Sequence, residues 1–341
     1  MQHFKIYMLL SFAMLINVNV SKAQDFTFSQ FYEMPLLRNP AIAGIFSGDI
    51  RIQSAFRNQW ASVTTPFQTT ALSAEVKFPV NIANDYFTGA LQITSDKAGD
   101  SKLGRIQVLP AFNYLKSLND ENSYLAAGFM GGFVQSSFDP SGLTFNDQFQ
   151  NGQFNTNNAT AQTFKNTNHT YFDASAGISY SGMIGNETKF YIGGAMYHLN
   201  KPKISFADDE LRLKPRTVIN AGINIPTGDV NNFYIYGDYI IQGGHRQALM
   251  GMMYSIILGD YMEDDKVSIS FGTFYRWGDA LVPVTKLEYH RLGIGLSYDA
   301  NISKLSAASQ YRGGFELTAS YKSFLNIRNS SSDKVKCPVQ F

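Results

Sequence analysis

Val267-Ser268-Ile269-Ser270-Phe271-Gly272-Thr273-Phe274-Tyr275-Arg276-Trp277 decides the reading of this chain, because its character changes at nearly every step. Val267, Ile269, Phe271, Thr273, Tyr275 and Trp277 fall on one face of an extended backbone. Ser268, Ser270, Gly272, Phe274 and Arg276 fall on the other. Successive side chains of a strand point to opposite faces, whereas a helix with 3.6 residues per turn would mix the two sets. The stretch predicts a β-strand with one strongly apolar face.

Outward from this stretch the period recurs. In 86–95, Phe87, Gly89, Leu91 and Ile93 oppose Thr88, Gln92 and Thr94. In 292–299, Leu292, Ile294, Leu296 and Tyr298 oppose Gly293, Gly295, Ser297 and Asp299; in 315–322, Phe315, Leu317, Ala319 and Tyr321 oppose Glu316, Thr318, Ser320 and Lys322. Fourteen such segments lie near 48–57, 68–77, 86–95, 105–115, 123–134, 170–180, 188–198, 215–225, 232–242, 246–257, 266–277, 282–291, 292–300 and 312–324. Each approaches the roughly 9–11 residues that a tilted membrane-crossing strand needs. The expected fold class is all-β: a transmembrane antiparallel β-barrel of about 14 strands. Lipid offers an open sheet edge no partner, so the sheet must close. The pair 282–291 and 292–300 shows no clear turn chemistry at His290-Arg291.

Composition agrees. Hydrophobic residues reach 44%, with 27 Phe and 19 Tyr, yet mean hydropathy is only −0.15. An apolar outer band, aromatic girdles and a polar lumen require that mixture. Net charge is +1, which gives no electrostatic case for nucleic acid. The single cysteine, Cys337, excludes an internal disulfide and any cysteine-based zinc site.

Residues 1–23 read as a cleaved signal peptide: Lys5, an apolar run from Ile6 to Val20, then Ser21-Lys22-Ala23, with Gln24 the expected mature N-terminus. Residues 24–47 hold Phe26, Phe28, Phe31, Tyr32, Met34, Leu36 and Leu37, too apolar for a free tail. They are expected to pack plug-like at or in the periplasmic mouth of the barrel. The barrel itself is expected over 48–324, with a polar C-terminal tail over 325–341. Between strands, Asn119 to Asn122 and Gly228 to Asn231 are turn chemistry. The polar segment 138–168 reads as an extracellular loop with little reason to pack. A second long connection, 199–214, is expected to hold a short helical turn at Ala207-Asp208-Asp209-Glu210.

Chemistry-bearing motifs are few. His3, His169, His198, His245 and His290 show no metal-ligand spacing. A lumenal esterase would need a serine beside His198 or His290, which sequence alone does not place; a hydrogen-bonded structural histidine is the simpler reading. Asp208-Asp209-Glu210 and Glu263-Asp264-Asp265 lack the spaced oxygens of a calcium loop. The glycine pairs 193–194, 243–244 and 313–314 suit bends of a barrel wall rather than phosphate cradles. No cofactor or metal is expected, and no enzymatic activity. Arg51, Arg57, Arg276, Glu288, Asp299 and Glu316 carry more weight, because they fall within apolar strands. An ion facing lipid costs about 2–4 kcal/mol at the midplane, so these residues should face the lumen or the rims and pair there.

A series of strings runs through nearly the whole chain after residue 23. It begins with Phe28-Ser29-Gln30-Phe31-Tyr32, Asn39-Pro40-Ala41 with Ala43-Gly44, Arg57-Asn58-Gln59-Trp60 and Phe67-Gln68-Thr69. It continues through His198-Leu199-Asn200 with Pro202, Arg276 with Gly278-Asp279-Ala280, Gly295 with Ser297-Tyr298-Asp299, and Gly313-Gly314-Phe315-Glu316, and finishes on Cys337-Pro338 and Phe341. Taken in order, the series resembles the PorP/SprF family of type IX secretion system outer-membrane proteins. The resemblance implies a non-enzymatic outer-membrane barrel, set in outer-membrane lipid, that assists export or surface attachment of a cargo protein. The cargo would be an adhesin-like surface protein, as in gliding motility, bearing a type IX C-terminal sorting domain; ring or motor components of the machinery would be further partners. It also makes Arg57, Asn58, Gln59, Trp60, Arg276 and Asp279, together with the in-plane Arg51, Asp299 and Glu316, candidates for lumen-structural or cargo-contacting roles. A passive porin or solute channel is the alternative.

Overall fold

The computed structural model describes residues 25–325, except 61–64, 81–83, 100, 119–122, 151, 156, 163, 165, 186, 207–209, 229–230, 259–266, 304–305 and 307–309. Fourteen strands close into one antiparallel barrel. In chain order they are β1 (Ile50–Gln59), β2 (Phe67–Val80), β3 (Asp85–Ala98), β4 (Leu103–Ser117), β5 (Ser123–Ser137), β8 (Asn168–Ile184), β9 (Thr188–Tyr197), β10 (Arg216–Thr227), β11 (Asn231–Gln242), β12 (His245–Ile257), β13 (Val267–Arg276), β14 (Ala280–Tyr289), β15 (Leu292–Asn301) and β16 (Arg312–Ser323). Two short strands, β6 (Phe149–Gln150) and β7 (Gln153–Phe154), pair only with each other in the long β5–β8 connection. Each barrel strand pairs with its neighbours in sequence, and β16 returns to β1 in a register running from Ile50↔Ser323 to Gln59↔Gly314.

The alternation decides which side chains meet lipid. Phe112, Phe129, Phe133, Ile178, Phe271 and Leu296 are more than half exposed on the outer wall. Glu75, Lys77, Gln92 and Glu316, on strands with equally apolar neighbours, are fully buried. This distribution inverts that of a water-soluble protein. No described helix is long and apolar enough to cross a membrane; the strands do so.

All fourteen periodic segments coincide with strands, and only their ends move. β2 to β5 and β8 run 14–17 residues, longer than expected, whereas β9 and β13 to β15 run 10. The barrel is therefore taller on one side. His290-Arg291 does form a tight turn: Tyr289 pairs with Leu292 and His290 takes φ 55°. Sequence missed it because neither residue is typical of a position with positive φ.

Long connections gather at one end, over 60–66, 138–167, 198–215 and 302–311. The opposite end holds the turns 185–187, 228–230 and 290–291, the longer 258–266, and the two ends of the barrel chain. The 138–167 loop packs more than its polarity suggested. Phe138 meets Phe164 and Phe206 edge-on at 5.1 and 4.9 Å, and Phe145 lies 6.0 Å from Phe164. Three aromatics of the loop, Phe138, Phe145 and Phe164, cluster among its Asn, Thr and Gln, and Phe138 binds it to the 198–215 connection through Phe206. The helical turn expected at 207–210 falls mainly on residues outside those described, as do the turn at Asn119 to Asn122, the acidic run at 263–265 and the motif at Cys337.

Candidate functional site

Residues 25–49 run down the inside of the barrel, from the loop end to the turn end where β1 begins. The segment forms neither strand nor long helix. Pro35 and Pro40 each open a single 3-10 turn, Pro35–Leu37 and Pro40–Ile42, after a first turn at Phe31–Glu33. Asn39 fixes the last of these: its Oδ1 accepts from the Ala41 N–H at 2.8 Å, while its Nδ2 donates to the Ile178 carbonyl at 3.0 Å. The Asn39-Pro40-Ala41 string thus caps a turn and bonds that turn to the wall. The plug reaches much further than the one mouth expected for 24–47, because inward polar groups meet it at every level.

Near the loop end the wall supplies an ionic cradle. Glu316 accepts the Ser29 and Gln30 backbone N–H groups at 2.6 and 2.8 Å. Asp299 accepts from the Ser29 hydroxyl at 2.6 Å and from Arg57 and Arg276 at 2.8 Å each. Arg57 also reaches Glu316 at 3.3 Å and donates to the Thr27 carbonyl. Arg276 donates to the Ser29 hydroxyl at 2.9 Å and to Asp279. Two arginines and two buried carboxylates therefore grip one dipeptide, Ser29-Gln30. Both carboxylates are compensated by guanidinium and N–H donors, as a dry site requires.

Further down, Arg38 and Asp238 form a buried fork, with Nε–Oδ2 at 2.8 Å. Lys286 bridges Glu33 of the plug at 2.6 Å and Glu288 of the wall at 3.2 Å. Arg51 pairs with Glu75 at 2.8 Å, and Glu75 also accepts the Gly44 N–H at 2.9 Å. Lys77 donates to the Phe46 carbonyl at 2.8 Å. An aromatic stack joins plug to wall between these levels: Tyr32 lies 5.0 Å from Tyr236 and 5.1 Å from Phe274, nearly parallel to both.

The top of the plug is fastened separately. Asp25 receives Arg105 at 2.8 Å and His198 Nε2 at 2.6 Å, and its own N–H donates to Gln242 Oε1 at 3.0 Å. His198 Nδ1 lies 2.8 Å from Asp173. Burial alone would lower the His198 pKa; hydrogen bonds to Asp173 and Asp25 outweigh it and hold the imidazolium at about 9. With both ring nitrogens bonded to carboxylates, this histidine has no free position from which to act as a base.

The plug leaves space open along one side. It presses its third turn against β4, β5, β8 and β9. Between it and the opposite wall a cavity of about 260 Å³ opens toward the turn end, lined in part by Tyr32, Tyr234, Gln53, Lys286 and Asn224.

Of the residues singled out from sequence, Arg57, Arg276, Asp279, Asp299 and Glu316 meet in the loop-end cradle. Arg51 sits apart with Glu75. Asn58 and Gln59 close the loop end of β1, and Trp60 follows with φ 60°, its N–H bonded to the Gly313 carbonyl at 2.8 Å and its ring edge-on to Phe67. These three do not join the cradle. Sequence reasoning missed the plug's own Asp25, Glu33 and Arg38 with their wall partners Arg105, Asp238 and Lys286, and it missed Glu75, which holds Arg51 and the Gly44 N–H. Inward position within apolar strands was the signal available for Asp238, Glu75 and Lys286.

Several solved structures align with most of this chain at low identity. A Pseudomonas aeruginosa FadL homologue aligns at 9% identity and a TM-score of 0.49 over 83% of this chain and 92% of that one. A mutant of the TodX monoaromatic hydrocarbon channel aligns at 9% and 0.46 over 85% and 94%. BamA from Haemophilus ducreyi, lacking POTRA domains 1-3, aligns at 9% and 0.40 over 81% and 70%. No curated protein matches the sequence. The model of the family described as type IX secretion system membrane protein PorP/SprF matches residues 20–321. Spanning the plug, the cradle and all but the last residues of β16, that match places the chain in the PorP/SprF family of type IX secretion membrane proteins.

Proposed function

We propose that this protein is a non-enzymatic outer-membrane component of the type IX secretion system that assists the export or cell-surface attachment of one cargo protein bearing a C-terminal sorting domain. The cargo is adhesin-like, a class that includes the adhesins of gliding motility, and the chain arrives through cleavage of residues 1–23. Membership of the family carries the reading. The filled lumen supports it, because a barrel whose interior is occupied by residues 25–49 from end to end is a scaffold rather than an open pore. The loops gathered at one end offer the cargo a surface, and the turn end faces the ring or motor components across the periplasm. Deleting the gene should abolish surface display of one large exported protein and leave nutrient uptake unchanged. That protein should co-purify with the barrel in mild detergent; recovery of lipid and lipopolysaccharide alone would defeat the proposal.

A further inference from the structure

We infer that the cavity between plug and wall is a binding site for a single pyranose ring, stacked on Tyr234 and entering from the turn end. The inference goes beyond the secretion role and rests on the outer-membrane reading only for which compartment supplies the sugar.

Four aromatic rings stand nearly parallel beside this cavity. Tyr32 of the plug lies 5.0 Å from Tyr236 and 5.1 Å from Phe274, and Tyr236 lies 6.4 Å from Phe274. Tyr234 extends the group, 6.1 Å from Tyr236 with 3° between their planes. It stands two residues nearer the start of β11 than Tyr236, and therefore nearer the turn end. Among the described residues Tyr236 is the only ring it meets. Tyr236 is buried, whereas Tyr234 is partly exposed and lines the cavity. The group of rings thus ends on a flat face that opens into the cavity.

The rest of the lining is polar. Gln53, Asn224, Ser255, Ser270 and Glu288 come from five different strands. Gln53 is the informative one. It is 3% exposed, and its Nε2 reaches Glu33 Oε2 at 3.5 Å. Its Oε1 meets no donor among the described residues. A buried acceptor without a donor costs stability, so a ligand hydroxyl that donates to Gln53 Oε1 is favoured. Lys286, held between Glu33 and Glu288 at 2.6 and 3.2 Å, keeps both carboxylates beside the cavity ionised and able to accept further hydrogen bonds.

One flat apolar face with hydroxyls, amides and a carboxylate around it selects among ligands. An acyl chain would leave the polar groups buried without partners. An aromatic side chain would use the Tyr234 face and waste the polar rim. A pyranose matches both, because its axial C–H groups rest on the electron-rich face of a ring while its equatorial hydroxyls point outward to donors and acceptors. The volume of about 260 Å³ lies just under the roughly 300–1,000 Å³ of pockets for drug-sized ligands, which suits one ring and not a chain. Outer-membrane barrels keep their short turns in the periplasm, so the sugar is periplasmic, either free or one unit of a longer glycan.

Saturation-transfer NMR on the intact barrel tests the site, because a ligand this small binds with Kd on the order of millimolar. The detergent must carry no sugar headgroup; an amine oxide serves. Glucose and methyl β-glucopyranoside are the sugars, and p-cresol is the bare aromatic ring. Saturation should pass to the axial C–H protons of the pyranose. Transfer to both sugars supports a unit of a glycan, and transfer to glucose alone supports a free sugar. Tyr234→Leu should weaken binding about three- to tenfold and Tyr234→Trp should preserve it. Gln53→Leu should weaken it about fivefold. Heat-modifiable gel mobility shows which variants are folded, and Gln53→Leu carries the test if Tyr234→Leu does not fold. Transfer to neither sugar overturns the inference, as does transfer to p-cresol alone or unchanged sugar binding in a folded Tyr234→Leu or Gln53→Leu barrel. Loss of the secretion role with sugar binding intact would leave this site standing.

Discussion

The residue scale is set by charges buried between plug and wall. Asp299 compensates Arg57 and Arg276 at once. Asp299→Ala strips the carboxylate from both and should destabilise the folded barrel by about 3–5 kcal/mol, as removal of one partner of a buried pair does. Asp279→Ala, at a carboxylate that is 39% exposed, should cost under about 1 kcal/mol. Urea titration of the folded barrel, read by gel mobility, separates the two. His198 makes a prediction about pH. It faces Asp25 and Asp173, and Asp25 also faces Arg105 and Arg216. A histidine whose folded pKa is raised from the usual 6.5 to about 9 contributes stability that is complete below about pH 6.5 and fades as pH rises through 9. Protease cleavage within 25–30 should therefore increase between pH 7 and pH 10. In His198→Gln it should be high throughout and nearly flat.

The element that governs the interior is the plug, and its fit depends on glycines in the wall. A Cβ at Gly128 would strike the Pro40 carbonyl group and one at Gly177 would strike Asn39 Oδ1, whereas one at Gly89 meets nothing within 4 Å. Gly128→Ala and Gly177→Ala should each shift the third plug turn and lower stability by about 1–3 kcal/mol, while Gly89→Ala stays near neutral. Thermal unfolding of the three variants is the comparison. The strands were legible because alternation with period two is enforced by lipid on one side and charge on the other. The plug was legible only as an apolar segment needing a place to pack. Its path was not, since 3-10 turns set by Pro35 and Pro40 carry no period, and its partners lie up to 288 positions away in sequence.

At the scale of the whole molecule the filled lumen predicts electrical silence. The intact protein should show no stable conductance in planar bilayers, and deleting 25–47 should open a channel if the wall survives. A silent deleted form that still folds would mean that the wall collapses inward. The cradle illustrates what sequence can and cannot supply at this scale. Arg57, Arg276, Asp299 and Glu316 were recognisable as inward ions from the cost of facing lipid. That they converge on Ser29-Gln30 depends on closure of β1 with β16, which no local pattern encodes.

That closure has a kinetic consequence. Ser29 and Gln30 bond to Glu316 across 286 or 287 positions, so a part of the chain made before the first strand is completed only by the last strand. Contact order of this kind slows folding, because the entropy of a very long loop is lost before any reward returns. It also forbids a stable half-barrel. A nascent chain stalled before β16 has neither a partner for the β1 edge nor an acceptor for the Ser29-Gln30 amides, and must be kept unfolded by other proteins until its last strand arrives. The plug, once gripped from both sides of the β1–β16 seam, then acts as a clasp, so the mature barrel should open slowly even where its equilibrium stability is modest.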